Sequence, residues 1–555
     1  LVYSTVMKII LKKRMLSGVI WCLGLGIVFG ADGGAAGRTA SVSKVWAADK
    51  GDGTYKNPIL YADYSDPDVV RAGEDYYMTA SSFTCFPGLP ILHSKDLVNW
   101  TLLGHAVPRY PDASFDVPQH GNGIWAPSIR FHEGKFYIFW GDPDRGIYRV
   151  CAVRAEGPWE EPLLILPGKG LIDPCPLWDD DGNAWLVHAW AGSRAGVKSL
   201  LTVRKMDWQA TEVSRDCRHI FDGHEKHPTI EGPKFYKYNG YYYIFAPGGG
   251  VSQGWQVVLR SKDVYGPYED RIVLHQCSAP INGPHQGGWV QTPSGQSWFV
   301  HFQDAGPYGR IVHLQPVSWK DDWPLMGTDA DGDGIGEPVL SWKKPDIAGS
   351  YPVMTPAESD EFSEDGLGLQ WQWQANPNPV WFARIRGTDY LRLFAIPLPS
   401  AESNLWQAPN LLLQKFPAPD FTASAKVRLV PEQQSIRGGL IIFGEDYAAV
   451  EAAVENKAVV LRQIVCRQAE RGSRETIAAK RPLETDTIFL RVQVAGPNAV
   501  CRFSYSTDGN VFTLIGEPFT AKPGRWVGAK VGLYCLSEAG SRAGGYLDAD
   551  WFRIE

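Results

Sequence analysis

Apolar residues almost nowhere recur at a helical period along this chain, so helix bundles are excluded and an all-β fold class is expected. None of the nine cysteines falls in a Cys-x-x-Cys spacing, which removes the usual zinc and dithiol sites. An excess of positive charge is also missing. The formal net charge is −7, the wrong sign for a polyanion, and no nucleic-acid partner is expected. The apolar stretch Ser17–Gly30 is too short for a comfortable membrane span. It follows a basic group, Lys8, Lys12, Lys13 and Arg14, and the two together read as an export signal over 1–47. Small residues at Val45 and Ala47 allow cleavage after Ala47, and the Gly/Ala-rich stretch after Gly30 allows an earlier cut. Trp21 before Cys22 argues against a lipoprotein signal. The mature protein is therefore expected to be secreted or periplasmic, with no stable membrane association after cleavage. Its eight remaining cysteines read as mostly buried thiols, with room for one or two disulfides.

What the chain has in quantity is aromatic residues: 22 Trp, 23 Tyr and 23 Phe, punctuated by 58 Gly and 40 Pro. Short strands between glycine- and proline-containing turns account for that punctuation. Abundant aromatics over a mildly acidic background suit a neutral ligand with apolar faces, and carbohydrate is the obvious class.

One phrase is written five times: a polar turn with a glycine, an aromatic three residues later, then an aliphatic-rich strand. The glycines are Gly73, Gly134, Gly182, Gly240 and Gly295, and the aromatics are Tyr76, Tyr137, Trp185, Tyr243 and Trp298. The copies stand roughly 50–60 residues apart, a supersecondary period that points to propeller blades over 48–350. Five unrelated hairpins would give the same turns, but not an aromatic in the same place each time. Each unit also opens on a polar or aromatic residue: Asp66, Trp125, Asp173, Glu231 and His285. Equivalent positions in blades converge on the axis. Three carboxylates, an indole and an imidazole would then share one pocket, and acidic groups that crowd together raise each other's pKa. Taken alone, Asp66 and Asp173 read as turn-forming aspartates before proline. Glu231 at the same place in its unit turns that reading toward catalysis.

The repeats end near Gly309–Pro324. The segment that follows, DADGDGIGE (Asp329–Glu337), spaces acids like a calcium loop, but its twelfth position is Leu340 instead of the bidentate Glu. A solvated turn is the preferred reading. No metal ligand is assigned and no cofactor is required, with a structural calcium as the option this loop leaves open. From Pro356 to Glu555 the phrase disappears. Strands such as GGLIIF (Gly438–Phe443), IFLRVQVA (Ile488–Ala495) and KVGLYC (Lys530–Cys535) alternate with polar turns, the pattern of a β-sandwich over 356–555. Its opening and closing segments are expected side by side. No triad or metal spacing occurs there, so the domain reads as supportive.

The segment Asn57–Trp100 resembles the opening of glycoside hydrolase family 43. IWAPSI, LIDPCPLW, IEGPKFYKYNGYYY and GRIVHLQPVSW resemble later motifs of that family, in order. The last 200 residues or so resemble the concanavalin-like (jelly-roll) sandwich attached to many of its β-xylosidases. The resemblance implies a five-bladed β-propeller. It also implies an exo-acting, inverting hydrolase that removes terminal pentoses from xylo-oligosaccharide or arabinoxylan-type substrates. Family members act as β-xylosidases or α-L-arabinofuranosidases on the same three carboxylates, and the sandwich favours the β-1,4-xylosidase. A non-catalytic sugar-binding propeller would not need all three acids. The retaining, sucrose-acting propellers carry an Arg-Asp-Pro tripeptide that is missing here. By resemblance, Asp66 matches the general base, Glu231 the general acid, and Asp173 the carboxylate that tunes and orients that acid. Phe83 and Trp125 match aromatics around the deepest sugar, and Arg310 an arginine that contacts substrate and the acid. His285 matches an axial histidine sometimes linked to calcium. Cys85 departs from the family, which often places a tryptophan in that stretch, so the pocket wall is expected to differ there.

Overall fold

In the computed structural model, residues 42–385, 388–432, 435–541 and 544–555 are described. The export signal lies largely outside them. Five four-stranded antiparallel sheets follow one another along the chain, each a meander of consecutive strands. Their first strands are Asp68–Ala72, Trp125–His132, Leu171–Trp178, Lys234–Tyr238 and His285–Gln291. The only α-helix among the described residues is the single turn Gly192–Ala195. The propeller is thus the expected one, with each repeated phrase forming the hairpin between a blade's first and second strands. All five glycines have positive φ, from 65° to 87°, a conformation that glycine adopts without a Cβ penalty.

Neighbouring blades share apolar layers. Phe86 and Ile91 of the first meet Ile129 and Trp140 of the second. Leu171 and Leu186 of the third meet Tyr137 and Phe139 of the second. The ring closes where Val69 and Met78 pack on Val300, Val312 and Leu314 of the fifth. Four of the repeated aromatics face the following blade: Tyr137, Trp185, Tyr243 and Trp298. Tyr76 does not. It faces the closing seam with the fifth blade, while Tyr77 packs on Phe136 of the second at 4.8 Å. In the first hairpin the glycine takes the first of two turn positions, with Ala72 paired to Asp75 around Gly73 and Glu74, whereas Gly134 and Gly240 take the second; the aromatic is thereby shifted by one residue, which turns it to the other face. The equal phase expected of all five copies therefore holds for four.

Strand Thr54–Lys56 pairs with Ser341–Lys343, so the two ends of the propeller segment clasp each other. Two packed sheets form the C-terminal sandwich, one built around Phe421–Val430 and Tyr546–Ile554, the other around Ile436–Phe443 and Lys530–Ser537. Their inward residues, among them Leu440, Val450, Leu490 and Phe552, make one core. Asp360 bridges Phe552, placing the domain's opening beside its close as anticipated.

The sandwich docks on the propeller through backbone as well as side chains. Trp373 and Phe86 exchange N–H···O bonds of 2.7 and 3.1 Å, and Gly528 N donates to Asp63 Oδ2 at 2.8 Å. All eight described cysteines are free thiols, six of them buried, so no disulfide is formed among the described residues.

Candidate active site

Asp66, Asp173 and Glu231 stand just before or near the start of the first strands of blades one, three and four, at the same end of the axis. Asp66 and Asp173 both precede proline and both have positive φ, 53° and 56°. Phe83 shares that left-handed region at 51°, which is uncommon for a bulky side chain and clusters at functional sites. Asp66 is buried. Its Oδ1 accepts from Arg310 Nη1 at 2.7 Å and its Oδ2 from Ser81 Oγ at 2.6 Å. Both oxygens are therefore oriented by donors.

Asp173 Oδ2 accepts the Gly232 amide at 2.8 Å. Gly232 has φ 61° and lies against Gln286; a Cβ there would meet the amide carbon of Gln286 at 2.6 Å, so a larger residue would have to displace that side chain. Burial, and then the charge of Glu231, push the Asp173 carboxyl well above the usual range, with the Gly232 amide opposing. Glu231 opens on the funnel with 29% of its side chain exposed, yet protein surrounds it. Burial, then the charge of Asp66, push it up to about 7, against the pull of Arg310. The sequence assigned that upward push to Asp173; in the structure burial leads and Asp66 follows. The two carboxyls together retain proton into the neutral range.

His285 is buried with Nε2 3.8 Å from Glu231 Oε1, and neither ring nitrogen has a hydrogen-bond partner in the protein. Burial, helped by the charge of Arg310, pushes it down to about 3, so it is a neutral imidazole beside the acid. Arg310 lies 5.0 Å over the Phe302 ring and donates its backbone N–H to Asp63 Oδ1 at 2.9 Å. It was expected by the substrate and the acid; its direct bond is to Asp66, and its charge also acts on Glu231.

Trp125 and Phe83 meet edge-on at 6.3 Å. Trp526 of the sandwich, 43% exposed and with φ 64°, reaches the other side of Trp125 at 6.3 Å. Arg194 stands 5.7 Å over the same indole. A Cβ on Gly121 would collide with Arg525 and crowd Trp526, which shows how closely the sandwich loop approaches the rim. Trp526, Arg194 and Asp63 were missed in the sequence because nothing local marks them. Cys85 does not form the pocket wall. It is buried, and Lys530 of the sandwich donates to its Sγ at 2.7 Å, so the departure falls at the domain interface.

Among the described residues only Asp329, Asp331 and Asp333 bring three metal-type ligand atoms within 4.8 Å of one another. Those carboxylates also accept amides of their own loop: Asp329 takes Gly332 N and Gly334 N, and Asp333 takes Ile335 N.

The model described as glycosyl hydrolases family 43 matches residues 55–324. The β-xylosidase C-terminal concanavalin A-like domain matches 359–555. The chain is 36% identical over 497 residues to a putative β-xylosidase of Xylanibacter ruminicola, covering 89% of this chain and 88% of that one. It is 31% identical over 413 residues to a non-reducing end α-L-arabinofuranosidase of Bacteroides ovatus, covering 71% and 74%. Among solved structures, a family-43 protein of Bacillus licheniformis superposes with TM-score 0.77 at 26% identity, over 90% of this chain and 99% of that one.

Proposed function

This chain belongs to family 43 of the glycosyl hydrolases, and on that premise we propose that it removes terminal xylose from β-1,4-xylo-oligosaccharides with inversion. The observation that carries the reading is the pair of environments at one end of the axis. One carboxyl, Glu231, is pushed up to about 7, while another, Asp66, has both oxygens held by donors. A carboxyl that keeps its proton, set opposite a second carboxyl held in place by donors, is what glycoside hydrolysis uses. Glu231 gives its proton to the leaving oxygen. Asp66 takes a proton from water as that water attacks the anomeric carbon. Asp173, through the Gly232 amide, holds the backbone that carries Glu231. Arg310 fixes Asp66, and the neutral His285 adds no charge that would draw the proton from Glu231. The aromatic faces of Phe83 and Trp125 pack against the sugar.

Turnover of 4-nitrophenyl β-D-xylopyranoside should far exceed that of the α-L-arabinofuranoside; the reverse preference would assign the arabinofuranosidase activity that the Bacteroides ovatus relative is named for. Proton NMR of early β-xyloside hydrolysis should show α-xylose first, with β-xylose appearing only at the rate of mutarotation. β-Xylose as first product would make Asp66 a nucleophile. With a poor leaving group, kcat/KM should fall on the alkaline side with a midpoint near 7, because deprotonating Glu231 removes the acid. That limb should be missing in Glu231→Gln assayed with an activated aryl xyloside.

Trp526 at the rim supports a closed pocket and exo action. Xylan should lose single sugars with little early fall in viscosity. Trp526→Ala should raise KM for xylotriose several-fold while leaving the aryl xyloside nearly unchanged.

The basic and apolar start of the chain supports secretion or a periplasmic location. Ser43 bonds to Glu358 and Trp46 Nε1 donates to the Pro58 carbonyl, so cleavage upstream of these packed residues fits better than cleavage after Ala47. Among the described residues no helix is long and apolar enough to cross a membrane.

A further inference from the structure

The sandwich carries a groove on the outer side of the sheet that contains Phe421–Val430, Thr487–Ala495 and Tyr546–Ile554, and no propeller residue lines it. Three aromatics frame it: Phe489, Phe512 and Trp551, with Phe489 and Trp551 6.1 Å apart. Clustered, partly exposed rings on a sheet face mark an interaction site, and flat aromatic faces are what sugar rings stack on. Charge narrows the choice of sugar. The cations Lys426 and Arg553 are already paired, with Asp550 and Glu361. Arg491 is not: among the described residues it has no carboxylate within ion-pair distance. Its guanidinium lies 3.4 Å over the Phe512 ring and donates only to Ser424 Oγ, at 3.1 Å. Of the anions lining the groove, neither reaches it: the charge of Glu555 is felt by Arg491 only from beyond ion-pair distance. Asp508 accepts the amides of Asn510 and Val511, and Glu555 faces Lys44 at 3.8 Å. A planar guanidinium left without a carboxylate, set among aromatic faces, matches a bidentate carboxylate carried on a sugar.

We propose that this groove is a second, non-catalytic binding site for saccharide chains bearing uronic-acid groups, with Arg491 taking the carboxylate and Trp551 and Phe489 stacking on the sugar rings. It would hold an acidic xylan-type chain while the funnel, on the other domain, works on chain ends. The choice of xylan as carrier rests on the function proposed above; the carboxylate requirement rests on Arg491 alone.

The test is affinity electrophoresis of the full chain in native gels cast with glucuronoxylan or with neutral arabinoxylan, at low salt and at 0.5 M NaCl. Turnover of 4-nitrophenyl β-xyloside is measured on the same preparations. Glucuronoxylan should retard the protein at least five-fold more strongly than arabinoxylan, and salt should weaken that retardation. Arg491→Gln should abolish the difference between the two polysaccharides, and Trp551→Ala should reduce retardation in both, each with aryl-xyloside turnover unchanged. Equal retardation by the two, no retardation, or full retention in Arg491→Gln would overturn the proposal. Loss of aryl-xyloside activity in the wild type alone would instead count against the proposed function and leave the groove standing.

Discussion

Asp66→Asn should lower kcat on every xyloside by about 10²–10⁴-fold, and a better leaving group should not restore it. Asparagine keeps the shape and the contact with Arg310 but cannot accept the proton of the attacking water. Glu231→Gln should lose as much on natural oligosaccharides but recover much of its rate on 2,4-dinitrophenyl xyloside, whose leaving group needs no proton. The contrast separates base from acid, since a merely structural role would depress both substrates alike. Asp173→Asn should fall between them and move the alkaline midpoint of kcat/KM, because Asp173 shares the proton-retaining pair with Glu231. Stopped assays on both substrates, with circular dichroism to establish folding, decide the assignment. Near wild-type turnover in any of the three would remove that residue from the mechanism.

Asp63→Ala should damage stability and activity together, although Asp63 is not proposed to touch substrate. Its carboxylate accepts Arg310 N at 2.9 Å, Gly528 N at 2.8 Å and Ser65 Oγ at 2.8 Å. Alanine leaves two amides unsatisfied at a buried seam, at a cost of about 1–3 kcal/mol each. The melting temperature should drop by several degrees. Because the same carboxylate places both Arg310 and the rim loop, kcat/KM should fall by about tenfold or more even well below the melting transition. Asp63→Asn, which retains an acceptor, should recover most of the stability. A variant that melts lower but keeps full kcat/KM would confine Asp63 to the domain seam.

The parts of this protein that were legible in its sequence share a physical cause. A hairpin needs a positive-φ turn and a buried aromatic strand, so every blade writes the same phrase. Asp66, Trp125, Asp173, Glu231 and His285 could be found because they open the units that those turns delimit. Tyr76 shows the limit. Its spacing from the glycine is regular, but that glycine sits one place earlier in its turn, which puts Tyr76 on the other side of the blade, and pairing register is not written in a spacing. The rim was illegible for a different reason. Asp63 and Gly528 are 465 residues apart, and nothing near Trp526 announces that it will meet Trp125. Cys85 was misread for the same reason: its neighbours in the chain belong to the funnel, while its neighbour in space is Lys530.

The distance along the chain between the funnel and its rim also sets an order of events during synthesis. Every proposed catalytic carboxylate has been made by Glu231, but Trp526 and Gly528 come about 300 residues later. At ~5–20 residues per second, that is a gap of roughly 15–60 s on the ribosome. Through that interval the nascent molecule has its proposed acid and base but no rim loop beside them, so it would be an open trough before it is a pocket. On the exo reading proposed above, preference for chain ends would be conferred last, by residues assigned no part in breaking the bond.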